Sequence, residues 1–166
     1  MSAGRLWISI ALSVALGGAV IPLASADEKT DKTVPAQQPA VPQVSCEFIE
    51  IWATNGKPPA VDPALSKALV KRLTSVFGAK YNDYKQLSSS TVTLTKKKPE
   101  TLKLKKGAAN VTLVEIVDNT KIRITVDFTS VKGKASQTQL VDAGDWVTTA
   151  VQQPNGDGHL LAGSCK

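Results

Sequence analysis

Apolar and polar residues alternate along most of the chain from Lys85 onward, and this period of two restricts the possible folds most strongly. The clearest run is KIRITVDF at 121–128, where every second residue is apolar. Such a period puts the apolar side chains on one face of a β-strand. We therefore predict strands over residues 87–95, 100–105, 110–117, 121–130, 136–141, 146–152 and 159–165.

A further strand is predicted at SCEFIEIWA, residues 45–53, which carries apolar side chains on both faces and should be covered on two sides. The links between successive strands are short and contain turn residues, as in PNGDG at 154–158, which favours antiparallel hairpins. The predicted fold is mainly β: an antiparallel β-sandwich or partly open barrel of about eight strands with one N-terminal amphipathic helix.

The predicted helix is capped by Asp62, has Pro63 at its first position and ends at Gly78, where glycine can adopt a positive φ. Apolar residues recur between these limits at three- and four-residue spacing, which predicts one buried stripe. The stripe consists of Leu65, Ala68, Leu69, Leu73, Val76 and Phe77. We expect it to pack over one face or end of the β-rich body.

The first 44 residues divide into two segments. Residues 1–26 have the layout of a secretory signal peptide, with Arg5, an apolar run over 6–23 and the small residues Ala24-Ser25-Ala26 before the expected cut. The alternative is an uncleaved anchor, because the run approaches membrane-spanning length. Residues 27–44 contain three prolines and are predicted to form a disordered Pro-rich linker, followed by a single β-rich domain over 45–166.

The chain has only two cysteines, Cys46 and Cys165, and both lie in the part that would be exported. An even count in an oxidising compartment predicts a disulfide, which would join the two ends of the domain. The alternative is a pair of unlinked small core residues. We expect a periplasmic or secreted protein with no transmembrane anchor after signal cleavage.

The stretch TLTKKKPETLKLKK, residues 93–106, holds most of the basic character of the chain. Without Arg5 the formal net charge falls from +6 to +5, and this stretch alone contributes +5. We predict a hairpin whose turn spans 96–100, with the leucines on its dry face. The candidate binding residues are Lys96, Lys97, Lys98, Lys103, Lys105 and Lys106.

Two interpretations of these lysines remain open. They could bind an anionic envelope polymer or an envelope protein, or they could protect an exposed edge strand from pairing with another chain. The stretch contains neither arginine nor aromatic residues, which argues against nucleic acid as the partner. An exposed Trp52 or Trp146 would mark a contact site, whereas a buried one would cover core.

His159 is the only histidine, so acid–base chemistry would have to use it with a carboxylate such as Asp157 or Asp145. No Gly-x-Ser-x-Gly elbow is present to indicate a serine nucleophile. The spacing of Cys46, His159 and Cys165 matches no common zinc pattern. We therefore assign no catalytic residue, metal or cofactor.

The stretches IEIWATNGKPPAVDPAL, DAGDWVTTAV and GHLLAGSC resemble a loosely defined group of small exported proteobacterial β-rich proteins without established activity. The resemblance implies a signal peptide, an early helix and a β-rich remainder, and it implies no functional residue. The expected function is a non-enzymatic binding or interaction domain in the bacterial cell envelope. The alternative is an envelope-polymer hydrolase or transferase that uses His159.

Overall fold

The structure is a computed structural model that describes residues 41–166, which form eight strands and one helix. Their bounds are β1 Gln43–Thr54, α1 Lys67–Phe77, β2 Asp83–Thr95, β3 Pro99–Lys103, β4 Gly107–Ile116, β5 Lys121–Ser130, β6 Gly133–Asp142, β7 Trp146–Gln152 and β8 Gly158–Cys165. The predicted signal peptide, residues 1–26, and residues 27–40 of the predicted linker lie outside the described residues.

The strands form two antiparallel four-stranded sheets that pack face to face. Sheet A has the order β2-β1-β8-β7, and sheet B has the order β3-β4-β5-β6. The alternating apolar residues of both sheets meet in the interior, where Leu94, Val111, Leu113, Ile124 and Phe128 are all buried. The prediction of a mainly β sandwich of about eight strands with one helix is confirmed.

Strand β1 is covered on both faces, as its sequence predicted. Cys46 and Phe48 face the sandwich interior. Ile49, Ile51 and Ala53 lie on the outer face, where they pack with residues of α1 in a second core. The helix therefore covers the outer face of sheet A at the end where Ile49, Ile51 and Ala53 lie.

The helix begins later than predicted, because Ser66 and not Asp62 is its cap. The Ser66 side chain accepts a hydrogen bond from the Leu69 amide at 3.3 Å. Asp62 instead accepts from the amides of Ala64 and Gln86, at 3.0 and 3.2 Å, so its carboxylate joins the preceding turn to β2. An aspartate before a proline fits an isolated turn as well as a helix start.

The buried stripe is also narrower than predicted. Leu65, Leu69 and Leu73 are buried, whereas Ala68 and Val76 are exposed. Gly78 ends the helix with φ −61°, so it does not adopt the predicted positive φ. A side chain there would collide with the carbonyl oxygen of Thr74, which explains the glycine sterically.

The predicted lysine hairpin is wrong, because β2 and β3 belong to different sheets. β2 pairs only with β1, and β3 pairs only with β4. Residues 96–98 carry the chain from sheet A to sheet B. Lys97 has φ 62° there, and its amide donates to the Leu113 carbonyl at 2.8 Å.

The predicted disulfide between Cys46 and Cys165 is present, with an S–S distance of 2.03 Å. It joins the neighbouring strands β1 and β8. β1 begins at Gln43, within the last residues of the predicted linker, because Gln43 pairs with Thr95 and Val44 is buried in the core. We call the end of the sandwich that holds the bridge and the 96–98 crossing the disulfide end.

Candidate functional site

The opposite end of the sandwich contains a groove, and we call it the groove end. Three turns meet there, those between β3 and β4, β5 and β6, and β7 and β8, together with the end of β1. The groove has a volume of about 510 Å³. It is lined by Trp52, Lys105, Lys106, Val131, Lys132, Gln153, Pro154 and Asn155.

The electrostatic character of the groove comes from three lysines around one indole ring. The Lys106 ammonium lies 3.9 Å from the centroid of the Trp52 ring, which is a cation–π contact. Trp52 is half-buried, and its indole N–H donates to the Asp157 carboxylate at 2.9 Å. Lys105 and Lys132 add two further positive charges, and the lining contains no acidic residue.

Glu50 holds the β3–β4 turn in place from inside the protein. Its carboxylate is fully buried and accepts hydrogen bonds from the backbone amides of Lys105 and Lys106, at 2.6 and 2.8 Å. It also accepts from the Ser88 hydroxyl at 2.6 Å and faces His159 Nε2 at 2.8 Å. One buried anion therefore fixes the backbone of two groove lysines without contacting their ammonium groups.

A chain of hydrogen bonds continues from Glu50 toward the groove. Ser130 Oγ lies 2.6 Å from His159 Nδ1, and Gln153 Nε2 donates to that oxygen at 2.9 Å. The ionised Glu50 carboxylate can only accept, so His159 Nε2–H donates to it. The direction of the Ser130–Nδ1 hydrogen bond depends on the protonation of Nδ1, because a hydroxyl oxygen that accepts from Gln153 can still either donate or accept a second bond. His159 is fully buried, and its ring lies 4.8 Å from that of Phe128.

Two opposing effects set the pKa of Glu50. Burial raises the pKa, because it disfavours the charged form. Hydrogen bonds from His159, Ser88 and the amides of Lys105 and Lys106 lower it, and together they bring the pKa from 4.5 to about 2. Glu50 is therefore an anion throughout the neutral range.

The predicted binding lysines do not form one patch. The Lys96 amide donates to the carbonyl of Pro42, whereas the Lys105 amide donates to Glu50, eight residues further along. At about 3.3 Å per strand residue these points are roughly 25 Å apart. Lys96, Lys97 and Lys98 lie at the disulfide end, and Lys98 is paired with Glu100 at 3.1 Å. Lys103 is exposed on the edge strand β3.

Sequence reasoning did not select the remaining groove and network residues. Lys132 lies between the predicted strands 121–130 and 136–141, and Gln153 directly precedes the predicted turn at 154–158. Glu50 and Ser130 lie 109 and 29 residues from His159, so no local motif joins them. The sequence feature that points to these residues is the position of the turns. Successive antiparallel strands reverse direction, so the turns after β3, β5 and β7 lie at the same end of the sheets.

The carboxylates predicted to work with His159 do not contact it. Asp157 accepts from Trp52 and from the Asn155 side chain, at 2.9 and 2.8 Å. Asp145 lies in the β6–β7 turn at the disulfide end. The carboxylate that does face His159 is Glu50.

No group of three or more potential metal ligands occurs among residues 41–166. His159 lies at the groove end and the bonded cysteines lie at the other, so the structure does not bring these three side chains together.

Trp146 lies in a second groove, between α1 and the β6–β7 turn. This groove has a volume of about 460 Å³, and its rim carries Lys71, Arg72 and Asp145. Trp146 is half-buried and packs against the core beneath the helix. It therefore covers core as well as lining the groove.

Over residues 41–166, no helix combines the length and apolar character needed to cross a membrane. Comparisons of the chain with protein-family models, with curated proteins and with solved structures found no match. The resemblance to small exported β-rich proteins therefore stays a prediction.

Proposed function

We propose that this chain is an exported, non-enzymatic binding domain of the bacterial cell envelope and that the groove at Trp52 holds its ligand. The observation that carries the proposal is the Lys106 ammonium 3.9 Å above the Trp52 ring. Two more lysines lie on the same groove, and none of the three is paired with a carboxylate within residues 41–166.

The lining favours an anionic polysaccharide as the ligand. Lysine ammoniums attract carboxylate or phosphate groups, and the aliphatic parts of lysine side chains suit the apolar face of a sugar ring. The groove contains no arginine and a single aromatic side chain. Nucleic-acid sites usually have several stacking side chains, so a nucleic acid fits this groove less well.

The Cys46–Cys165 disulfide supports the exported location, because such bonds persist in oxidising compartments. The signal peptide predicted over residues 1–26 supports it too. The location remains part of the proposal.

Calorimetric titration with a polyuronate oligosaccharide at low and high salt tests the groove. Changing Lys105, Lys106 and Lys132 to glutamine should weaken binding at least tenfold at low salt, because it removes three exposed charges. High salt should weaken binding of the parent protein, since it screens surface charges. The backbone amides bound by Glu50 remain, so the fold should be preserved.

The chain offers a matched control in Lys96, Lys97 and Lys98, which lie at the disulfide end. Their change to glutamine removes the same net charge and should leave affinity within about twofold. Equal losses in both triple variants would show that net charge alone binds the polymer. Tighter binding of single-stranded DNA than of polyuronate would assign the groove to nucleic acid.

A second candidate function, a serine hydrolase acting on envelope polymers, is favoured by the Ser130–His159–Glu50 arrangement. Ser130 Oγ would attack an ester carbonyl while its proton passes to His159 Nδ1, and His159 would give that proton to the departing alcohol. Water would then hydrolyse the acyl-serine, releasing the acid and restoring the Ser130 hydroxyl. Ser130 is only 6% exposed and lies beneath Gln153, so the binding function is supported better.

A serine-directed fluorophosphonate probe tests this candidate by intact mass. A hydrolase should gain one adduct on the parent protein and none on Ser130→Ala, with Ser136→Ala as the exposed-serine control. An unlabelled parent protein would eliminate the candidate.

A further inference from the structure

The four edge strands of the two sheets are protected to different degrees. β3 has only five residues, which include Pro99 and two charged side chains. β6 carries Lys134 near its beginning. β7 is uncharged, but the Gln137 side chain of β6 donates to the Thr148 carbonyl at 3.0 Å and so covers part of its edge. Protections of this kind prevent edge-to-edge pairing.

Strand β2 lacks such protection over most of its length. Its first part is covered, because the Tyr84 amide donates to the Ala60 carbonyl and the Gln86 amide donates to Asp62. The rest, SSSTVTLT at 88–95, contains no charged residue, proline or glycine. We call this segment the open edge.

The register shows which backbone groups of the open edge point outward. The Lys96 amide donates to the Pro42 carbonyl, so even-numbered residues of the segment bond to β1. The hydrogen bond from the Lys166 amide to the Ser45 carbonyl is consistent with this pattern. It shows that the odd-numbered residues of β1 form their backbone hydrogen bonds with β8, which leaves the even-numbered ones for β2. Ser89, Thr91 and Thr93 therefore direct their amides and carbonyls away from the sheet, where no partner lies within residues 41–166.

We propose that two copies of this chain pair antiparallel through their open edges. We set Thr91 opposite Thr93 of the second copy. In this register, residues whose backbone amides and carbonyls point away from sheet A face each other across the two strands. Val92 then lies on the twofold axis, and the two sheets A become one eight-stranded sheet. Threonine pairs across antiparallel strands are favourable, and a twofold contact of one surface with itself is the commonest dimer interface.

Charge distribution favours a second copy over a different partner. The open edge carries no charge, so it offers no electrostatic attraction to a partner of opposite charge and no repulsion to a second copy of itself. In the proposed register the Lys96–Lys98 segments lie at opposite ends of the paired strands, about 25 Å apart, which exceeds the Debye length at physiological salt. A polymer bound in the groove would not obstruct the dimer, because the open edge extends from Ser88 toward the disulfide end.

Sedimentation velocity of the full chain over a range of concentrations tests the proposal. The parent protein should show a reversible dimer. The Thr91→Lys/Thr93→Lys variant should have a dimer dissociation constant about tenfold higher or more, because like charges then face each other across the twofold axis. A matched Thr91→Glu/Thr93→Glu variant should also be monomeric alone, and the two variants mixed should recover the dimer.

Ser136→Lys/Thr138→Lys on the β6 edge is the control and should dimerise as the parent does. A parent protein that remains monomeric at millimolar concentration overturns the proposal. So does a dimer that survives the lysine changes in β2, or one that is lost in the β6 control. Failure of the mixed lysine and glutamate variants to associate would also overturn it, because it would contradict the register.

Discussion

At the scale of single residues, Glu50 links the core of the domain to its groove. Its four hydrogen-bond donors come from three separate parts of the chain: β2, the β3–β4 turn and β8. A glutamine at this position would keep the shape but would place N–H groups against backbone amides. Buried donors without acceptors are costly.

We therefore expect Glu50→Gln to lower the free energy of unfolding by about 3 kcal/mol at pH 7. Urea denaturation followed by circular dichroism measures this value. Glu47→Gln, which changes an exposed glutamate on the same strand, should alter it by less than about 0.5 kcal/mol. An equally stable Glu50→Gln protein would contradict the role of the buried carboxylate.

The same pair of proteins should differ in their response to acid. The pKa of Glu50 is lowered in the folded state to about 2, so its ionisation stabilises the fold above pH 4.5 and less as the pH falls toward 2. Between pH 5 and pH 2 the stability of the parent should approach that of Glu50→Gln. A difference that stays constant over this range would mean that Glu50 does not titrate as described.

Glu50 shows why single contacts were hard to predict. Glu50 alternates with Phe48 and Trp52 along β1, so all three share one face of the strand. The alternation therefore predicts a carboxylate among interior side chains but does not say what binds it. Its partners lie 38 to 109 residues away, and their approach depends on the packing of the two sheets. His159, by contrast, stands out in the sequence as the only histidine, but the sequence does not identify Glu50 as the carboxylate that faces it.

At the scale of elements, the strands could be predicted because alternation is a local property. The bounds 121–130 and 146–152 agree with the structure at both ends. The β2–β3 link could not be predicted in the same way. Leu94 and Leu102 are both buried in the interior, one from each sheet, and two strands of a hairpin would show the same pattern. A short link therefore does not establish that two strands pair.

The helix shows the same limit. Asp62-Pro63 and Ser66 both satisfy the sequence preferences of a helix start. The choice depends on the Gln86 amide, which holds the Asp62 carboxylate beside β2. That amide belongs to another element, so the correct start required tertiary structure.

At the scale of the whole molecule, the disulfide closes almost the entire domain into one loop. The two cysteines are 119 residues apart. On the loop-entropy model, closing a loop of this length stabilises the folded state by about 5 kcal/mol. The number and position of the cysteines were sufficient to predict the pairing.

We expect the Cys46→Ser/Cys165→Ser variant to lose about 5 kcal/mol of unfolding free energy, and reduced parent protein to lose a similar amount. Urea denaturation with and without reductant measures both. Thiol titration of the denatured, unreduced parent should find no free sulfhydryl. A loss below about 1 kcal/mol would contradict the entropic role of the bridge.

The bridge also decides how the domain can be presented. Residue 41 and Lys166 leave the body at the disulfide end, while Trp52 lies six residues beyond Cys46 along β1, about 20 Å away. A label or tether placed at residue 41 or at Lys166 would therefore lie about 20 Å from the Trp52 groove. Modification at either position would leave the groove accessible to its ligand.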